Sequence, residues 1–135
     1  MKPKAVVYLC AYNDETHQSL INQEAICNKR AEERQVEIVT VFKDQWLCKN
    51  HSPCMGLMDA MSLLEKEQWS ENAIDYLLIA DLERLGDTKK LGRYLWIIAE
   101  IGQYDVSTIN TSTNELFWLK NATDKDDPSF YGQWM

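Results

Sequence analysis

The chain has 135 residues, 45% of them hydrophobic, which suits one compact domain with a real core. Twenty-one acidic residues against fourteen basic ones leave a net charge of −7, so the molecule as a whole repels a phosphate backbone, and any contact with nucleic acid must come from a local basic patch. No stretch approaches the roughly 20 apolar residues that a membrane-spanning helix needs to cross a bilayer.

Taken in order, Ala5-Val6-Val7-Tyr8-Leu9-Cys10 is apolar on both faces and reads as a buried strand. It is short and runs into Asn13-Asp14-Glu15, so it is not read as a signal peptide. The expected location is the cytoplasm, where Cys10, Cys27, Cys48 and Cys54 are thiols or ligands rather than a disulfide framework. Tyr12 to Gln18 is polar and loop-like. Ser19 is placed to cap a helix running to about Arg34, with Leu20, Cys27 and Ala31 on its apolar side and Ile21 and Ala25 nearby. Val36 to Phe42 is rich in β-branched residues and reads as a strand.

Lys43 to Met55, broken by Asn50 and Pro53, is a predicted loop. Gly56 opens a second helix with Leu57, Ala60, Met61 and Leu64 at helical spacing. Tyr76 to Ala80 is a third strand. Thr88 to Gly102 is a third helix, presenting Leu91, Leu95 and Ile98 to a core with Tyr94 beside them, and Gly102 serves as its stop. Val106 to Asn110 is a fourth strand, and Leu116 to Leu119 a short fifth. This alternation predicts an α/β fold: three layers, with a mostly parallel sheet of four to five strands and helices on both faces. Sites in such folds lie beyond the carboxyl ends of the strands, here after Cys10, Phe42, Ala80 and Asn110.

The domain is expected to span residues 1–119, followed by an acidic and aromatic tail over residues 120–135. Asp124, Asp126, Asp127 and Pro128 discourage regular structure there, while Phe130, Tyr131 and Trp134 offer aromatic anchors, either for docking on the domain or for a partner. Lys89, Lys90 and Arg93 form the best small basic cluster and the candidate binding patch, although the reading favoured for it is a solvated helix face.

Five weak motifs fall in a recognisable order. They are Tyr8-Leu9-Cys10-Ala11-Tyr12, Ser19-Leu20-Ile21-Asn22-Gln23, Phe42-Lys43-Asp44 after Glu37-Ile38-Val39, Cys54-Met55-Gly56-Leu57, and Glu83-Arg84-Leu85-Gly86-Asp87, with Ile109 to Glu115 completing the frame. In this order the segment from Val6 to Glu115, about four fifths of the chain, resembles the catalytic domain of the resolvase/invertase serine recombinases. That family ends its first strand in Tyr-x-Arg-x-Ser, starts a helix with Ser-Leu-x-x-Gln, turns through a glycine before the second strand, begins its second helix with Arg-Pro-Gly-Leu, and follows its third strand with Asp-Arg-Leu-x-Arg. Here Cys10, Tyr12, Cys54 and Asp87 stand where the family has an arginine, the serine nucleophile and two further arginines; Gln35 replaces the glycine, and Arg84 is the arginine that remains.

The resemblance implies a resolvase-like fold and a vestigial site at Cys10, Tyr12, Cys54, Arg84 and Asp87. Serine recombinases attack a DNA phosphodiester with a hydroxyl, and arginines stabilise the charge gathering on the phosphoryl oxygens. Losing one such donor typically costs a factor of about 10² to 10³ in rate. Asp87 places an anion where a phosphate would approach, and Arg84 between Glu83 and Asp87 can serve as an ion-pair member. Tyr12 could act as a nucleophile only with rebuilt geometry and a basic cluster; otherwise it fills a vacated pocket. Family members continue into a dimer-forming helix and, usually, a DNA-binding domain, and the 20 residues after Glu115 are too few for either.

The expectation is therefore a protein that is not an enzyme: a catalytically inactive serine-recombinase-like domain, derived from a mobile element or prophage and acting as a binding or regulatory protein. No cofactor is implied. The expected partner is a protein or a second copy, contacted through the aromatic tail or the helix carrying Lys89 and Arg93, with DNA binding possible but weak and no membrane contact. An alternative rests on Cys48-x-x-His51-x-x-Cys54, whose ligand types and spacing could hold zinc with Cys10 as a fourth ligand, or form a redox-sensitive module through Cys10 and Cys54. A third option is a DNA-binding accessory protein without cleavage.

Overall fold

Every side chain from Ala5 to Tyr12 is buried, and alternate residues face opposite sides, as a strand requires. This is β1, Lys4–Tyr12. The computed structural model describes residues 2–47, 54–85 and 91–117, the side chains of 91–95 excepted. After β1 come α1 (His17–Arg34), β2 (Glu37–Leu47), α2 (Met55–Glu67), β3 (Tyr76–Ile79), a short 3-10 turn (Leu82–Leu85), α3 (Leu91–Gly102), β4 (Ser107–Asn110) and β5 (Glu115–Phe117). The sheet order is β2-β1-β3-β4-β5. β1 pairs in parallel with β2 and β3, β3 pairs in parallel with β4, and β5 closes antiparallel on β4. The expected three-layer, mostly parallel α/β architecture is the one observed.

The two faces of β1 build the two cores. Ala5, Val7, Leu9 and Ala11 pack with Leu20, Cys27 and Ala31 of α1 and with Val36, Leu78 and Ile109. Val6, Tyr8, Cys10 and Tyr12 join Leu57 and Leu64 of α2 and Ile97, Ile98 and Ile101 of α3. Burying a valine or leucine on this scale contributes about 1.5–3 kcal/mol, so β1 anchors both layers at once. Tyr8, Cys10 and Tyr12 consequently share one face and line up toward the carboxyl end of the strand.

Several local expectations are corrected. α1 starts at His17, with Thr16 at its N-cap, so Ser19 is not the cap; its hydroxyl instead donates to Glu15 Oε2 at 2.9 Å. Ile21 and Ala25 lie on the exposed side of α1. β2 does not stop at Phe42 but runs to Leu47, because Asp44 finds buried hydrogen-bond partners that hold the polar stretch in the sheet. A register shift between Cys10 and Tyr12 and a left-handed Trp46 (φ 58°) accommodate this extension. Tyr12 ends β1 rather than opening a loop, and β5 starts at Glu115. The stretch 86–90 and the tail 118–135 lie outside the described residues.

Two backbone positions tie the fold to its motifs. Gln35 ends α1 at φ 57°, and its N–H and that of Val36 return to the carbonyls of Glu32 and Ala31. This is the left-handed conformation that glycine adopts most cheaply. Gly56 sits so close to β2 that a Cβ there would lie 2.7 Å from the Lys43 carbonyl oxygen, so the first turn of α2 reaches the sheet only through glycine.

Candidate functional site

The carboxyl ends of β1 and β3 meet around Arg84, which is 6% exposed. The 3-10 turn after β3 carries it back over β1, and every guanidinium nitrogen is engaged. Nε donates to Asp81 Oδ1 at 3.1 Å. Nη1 donates to the Cys10 carbonyl at 2.6 Å and to Glu15 Oε1 at 2.9 Å. Nη2 lies 3.5 Å from Glu83 Oε2. The guanidinium also stands 5.5 Å from the centre of the Tyr12 ring. Burial alone would lower its pKa, but Asp81 and Glu15 outweigh that and hold it above the usual arginine value.

Glu15 organises the other side of the node. It accepts from the Tyr12 amide at 2.9 Å as well as from Arg84 and Ser19. Burial pushes its carboxyl upward, yet these hydrogen bonds prevail and its pKa falls below the ordinary glutamate value. Ser19 in turn accepts from Gln23 Nε2 at 3.0 Å. The Gln23 amide pairs with both backbone groups of Cys10, accepting from its N–H at 3.1 Å and donating to its carbonyl at 2.8 Å. A side chain thus stands in for a neighbouring strand at the tip of β1. A cavity of about 510 Å³ opens beside this network, bordered by Asp14, Glu15, Ser19, Gln23, Asp81 and Arg84 among others. Its rim carries three carboxylates against one guanidinium.

Tyr12 and Cys10 lie beneath this surface. Tyr12 is 3% exposed, and its hydroxyl donates to the Glu83 carbonyl. Burial, reinforced by Cys10, pushes its pKa well above the usual tyrosine value. Burial likewise pushes the Cys10 thiol up to about 11, only partly offset by the neighbouring Tyr8 and Tyr12 side chains and by Arg84. Cys54, half-buried at the N-cap of α2, packs against the same cluster as Cys10 and Tyr12. Neutral tyrosine and neutral thiol are poor nucleophiles, because the anion is the attacking form.

The structure therefore brings Cys10, Tyr12, Cys54 and Arg84 to one end of the sheet. Asp87, Lys89, Lys90, Phe130, Tyr131, Trp134, Cys48 and His51 lie outside the described residues, as does the side chain of Arg93. Among the described residues no group of three or more His, Cys, Asp or Glu is placed to hold a metal ion, and no helix is long and apolar enough to cross a membrane. Sequence reasoning missed Glu15, Asp81 and the backbone role of Gln23. The last had a signal, since Ser19 and Gln23 are one helical turn apart in the second motif and share a face.

A second polar centre lies at the end of β2. Asp44, 7% exposed, accepts from the Tyr8 hydroxyl at 2.6 Å, from the Gly56 amide at 2.7 Å and from the Leu57 amide at 3.1 Å. It caps α2 from the neighbouring strand, where Cys54 at the N-cap position makes no side-chain cap bond.

This architecture is similar to that of several solved recombinase domains. A resolvase family site-specific recombinase from Streptococcus pneumoniae aligns with a TM-score of 0.71 at 16% identity, over 98% of this chain and 84% of that one. The N-terminal catalytic domain of TP901-1 integrase aligns with a TM-score of 0.69 at 12% identity, over 97% and 88% of the two chains. The C-terminal catalytic domain of ISC1926 TnpA, an IS607-like serine recombinase, aligns with a TM-score of 0.64 at 21% identity, over 78% and 67%. No family model and no curated protein matches the sequence. The chain has the fold of a resolvase-like serine recombinase catalytic domain.

Proposed function

We propose that this domain keeps the recombinase fold without the strand-cutting chemistry, and that it works in the cytoplasm as a binding or regulatory protein of mobile-element or prophage origin. The observation that carries the reading is that every guanidinium nitrogen of Arg84 is engaged within the protein. Phosphoryl transfer needs cations preorganised toward the phosphate, and this guanidinium spends its donors on the Cys10 carbonyl, Glu15, Asp81 and Glu83. The hydroxyl that replaces the family serine belongs to Tyr12, is buried, and donates to a backbone carbonyl. A rim with a surplus of carboxylates and a net charge of −7 makes DNA a weak partner and favours a protein, either another chain or a second copy.

The test is a cleavage assay on supercoiled DNA carrying candidate recombination sites, read as covalent protein–DNA adducts on denaturing gels. No adduct is expected. An adduct that disappears in Tyr12→Phe would show tyrosine chemistry in the rebuilt pocket. One that persists in Tyr12→Phe would reveal another nucleophile, and either result overturns the proposal.

A further inference from the structure

The two faces of the sheet are covered unequally. Among the described residues α2 and α3 pack on one face, while the buried helical side chains on the other, Leu20, Cys27 and Ala31, all come from α1. α1 reaches the β4–β5 hairpin with longer side chains. Arg30 donates to the Thr111 carbonyl from Nε at 3.1 Å and from Nη2 at 3.0 Å, and Arg34 Nε donates to Asn114 Oδ1 at 2.9 Å. Beyond that reach the face opens. Ile109 of β4 is fully buried, but Leu116, its partner across the antiparallel pair and therefore on the same face, is 39% exposed. On α1, Ile26 is 38% exposed and borders a cavity of about 280 Å³ together with Lys29, Arg30, Thr111 and Ser112. Ligand clefts begin at roughly 300 Å³, so this one has room for a single aromatic side chain.

This flank of α1 is basic in an acidic molecule. Arg30 pairs with Glu33 at 2.7 Å, but Lys29 and Arg34 make no ion pair among the described residues. The complementary charge lies further along the same chain. Asp124, Asp126 and Asp127 fall close together, broken only by Lys125, and Phe130, Tyr131 and Trp134 follow them. Asp124 is seven residues beyond Phe117, the last residue of β5. Seven residues extend up to about 25 Å. β5 is bonded directly to β4, about 4.8 Å away, and Thr111, which continues β4, already touches Arg30. The acidic segment therefore reaches the basic flank with length to spare.

We propose that the segment Asp124–Trp134 docks on this flank of its own domain. Asp124, Asp126 and Asp127 meet Lys29, Arg30 and Arg34, one aromatic ring enters the cavity beside Ile26, and another covers Leu116. The contact takes apolar surface out of water on both sides and gives Lys29 and Arg34 the anions that the domain does not supply. None of these residues bonds to Arg84, so the proposal stands whether or not the domain cleaves DNA.

Chymotrypsin, which cuts after aromatic residues, tests it on the full chain. Cleavage at Phe130, Tyr131 and Trp134 follows the undocked fraction when docking is fast relative to cutting. Lys29→Glu/Arg34→Glu should speed that cleavage about tenfold, because two contacts turn from attraction to repulsion. Asp124→Lys/Asp126→Lys/Asp127→Lys should do the same, and combining the two sets should restore the slow cleavage of the unaltered protein. Circular dichroism verifies that each variant is folded, and Lys29→Glu alone, at an exposed position, should show a smaller acceleration of the same sign. In the unaltered protein a carbodiimide should join Lys29 to one of the three aspartates within the monomer, at a yield independent of protein concentration. Cleavage indifferent to reversal of the flank, a combined variant cut as fast as either parent, or a cross-link that forms only between copies would overturn the proposal.

Discussion

The Asp44 and Arg84 centres each hold a charged side chain that is almost fully buried, but they balance that charge in opposite ways. Asp44 is an anion satisfied by neutral donors: the Tyr8 hydroxyl and two amides at the positive end of α2. Arg84 is a cation satisfied by two anions, a third carboxylate at longer range and a carbonyl. The first arrangement is sealed, at the seam of β1, β2 and α2. The second stands on the rim of an open cavity, with Asp81 and Glu15 partly in water, their side chains 43% and 25% exposed. A buried charge held by fixed dipoles attaches a helix to a sheet. A cation held by partly exposed carboxylates ties the turn after β3 to β1 and has its field largely cancelled at the rim of the cavity.

The comparison breaks most readily at Asp44. Asp44→Ala strips the acceptor from the buried Tyr8 hydroxyl and from two helix amides, each left unsatisfied at about 1–3 kcal/mol. We expect a loss of about 3 kcal/mol or more, measured by urea denaturation, with Asp44→Asn losing less because its amide oxygen still accepts. Arg84→Met should cost less, about 1–2 kcal/mol, because Glu15 and Asp81 can hydrate once released and the Cys10 carbonyl loses one donor but keeps Gln23 Nε2. If Arg84→Met proved the more damaging of the two, the cation rather than the anion would be the structural keystone, and the contrast drawn between the two centres would be wrong.

How much of this was legible in the sequence depends on how local each cause is. β1 and β3 announced themselves as apolar runs, and Leu57, Ala60 and Leu64 gave α2 its buried face. The motif order pointed to the recombinase fold although no single motif is strong. The end of β2 was illegible, because Lys43-Asp44-Gln45 has the composition of a loop. What keeps it in the sheet is a tyrosine 36 residues earlier and a helix start 12 residues later. Tyr12 read as loop for the same reason: Asn13 and Asp14 follow it, and its burial depends on the turn carrying Glu83 and Arg84. Arg84 was visible in the sequence as the arginine that the resemblance picks out, with acidic neighbours beside it. Its partner Glu15, 69 residues away, belongs to the tertiary structure and left no local trace.

The smallest effect sharpens the comparison from the Glu15 side. Burial alone would raise this carboxyl, but the Tyr12 amide, Arg84 and Ser19 hold its folded-state pKa below the ordinary glutamate value. The folded protein therefore gives up this proton more readily than the unfolded chain does. The resulting stabilisation is complete above the unfolded glutamate value of about 4.3 and is lost as pH falls through the lower folded value. Glu15→Gln removes that contribution. The stability gap between the unaltered protein and Glu15→Gln should be constant above about pH 5 and close on acidification. Its plateau should be about 1 kcal/mol or less, since the carboxylate keeps some contact with water. A gap that widened toward acid would mean that Glu15 is protonated more readily in the folded state than in the unfolded chain, and that Arg84 does not hold it as an anion.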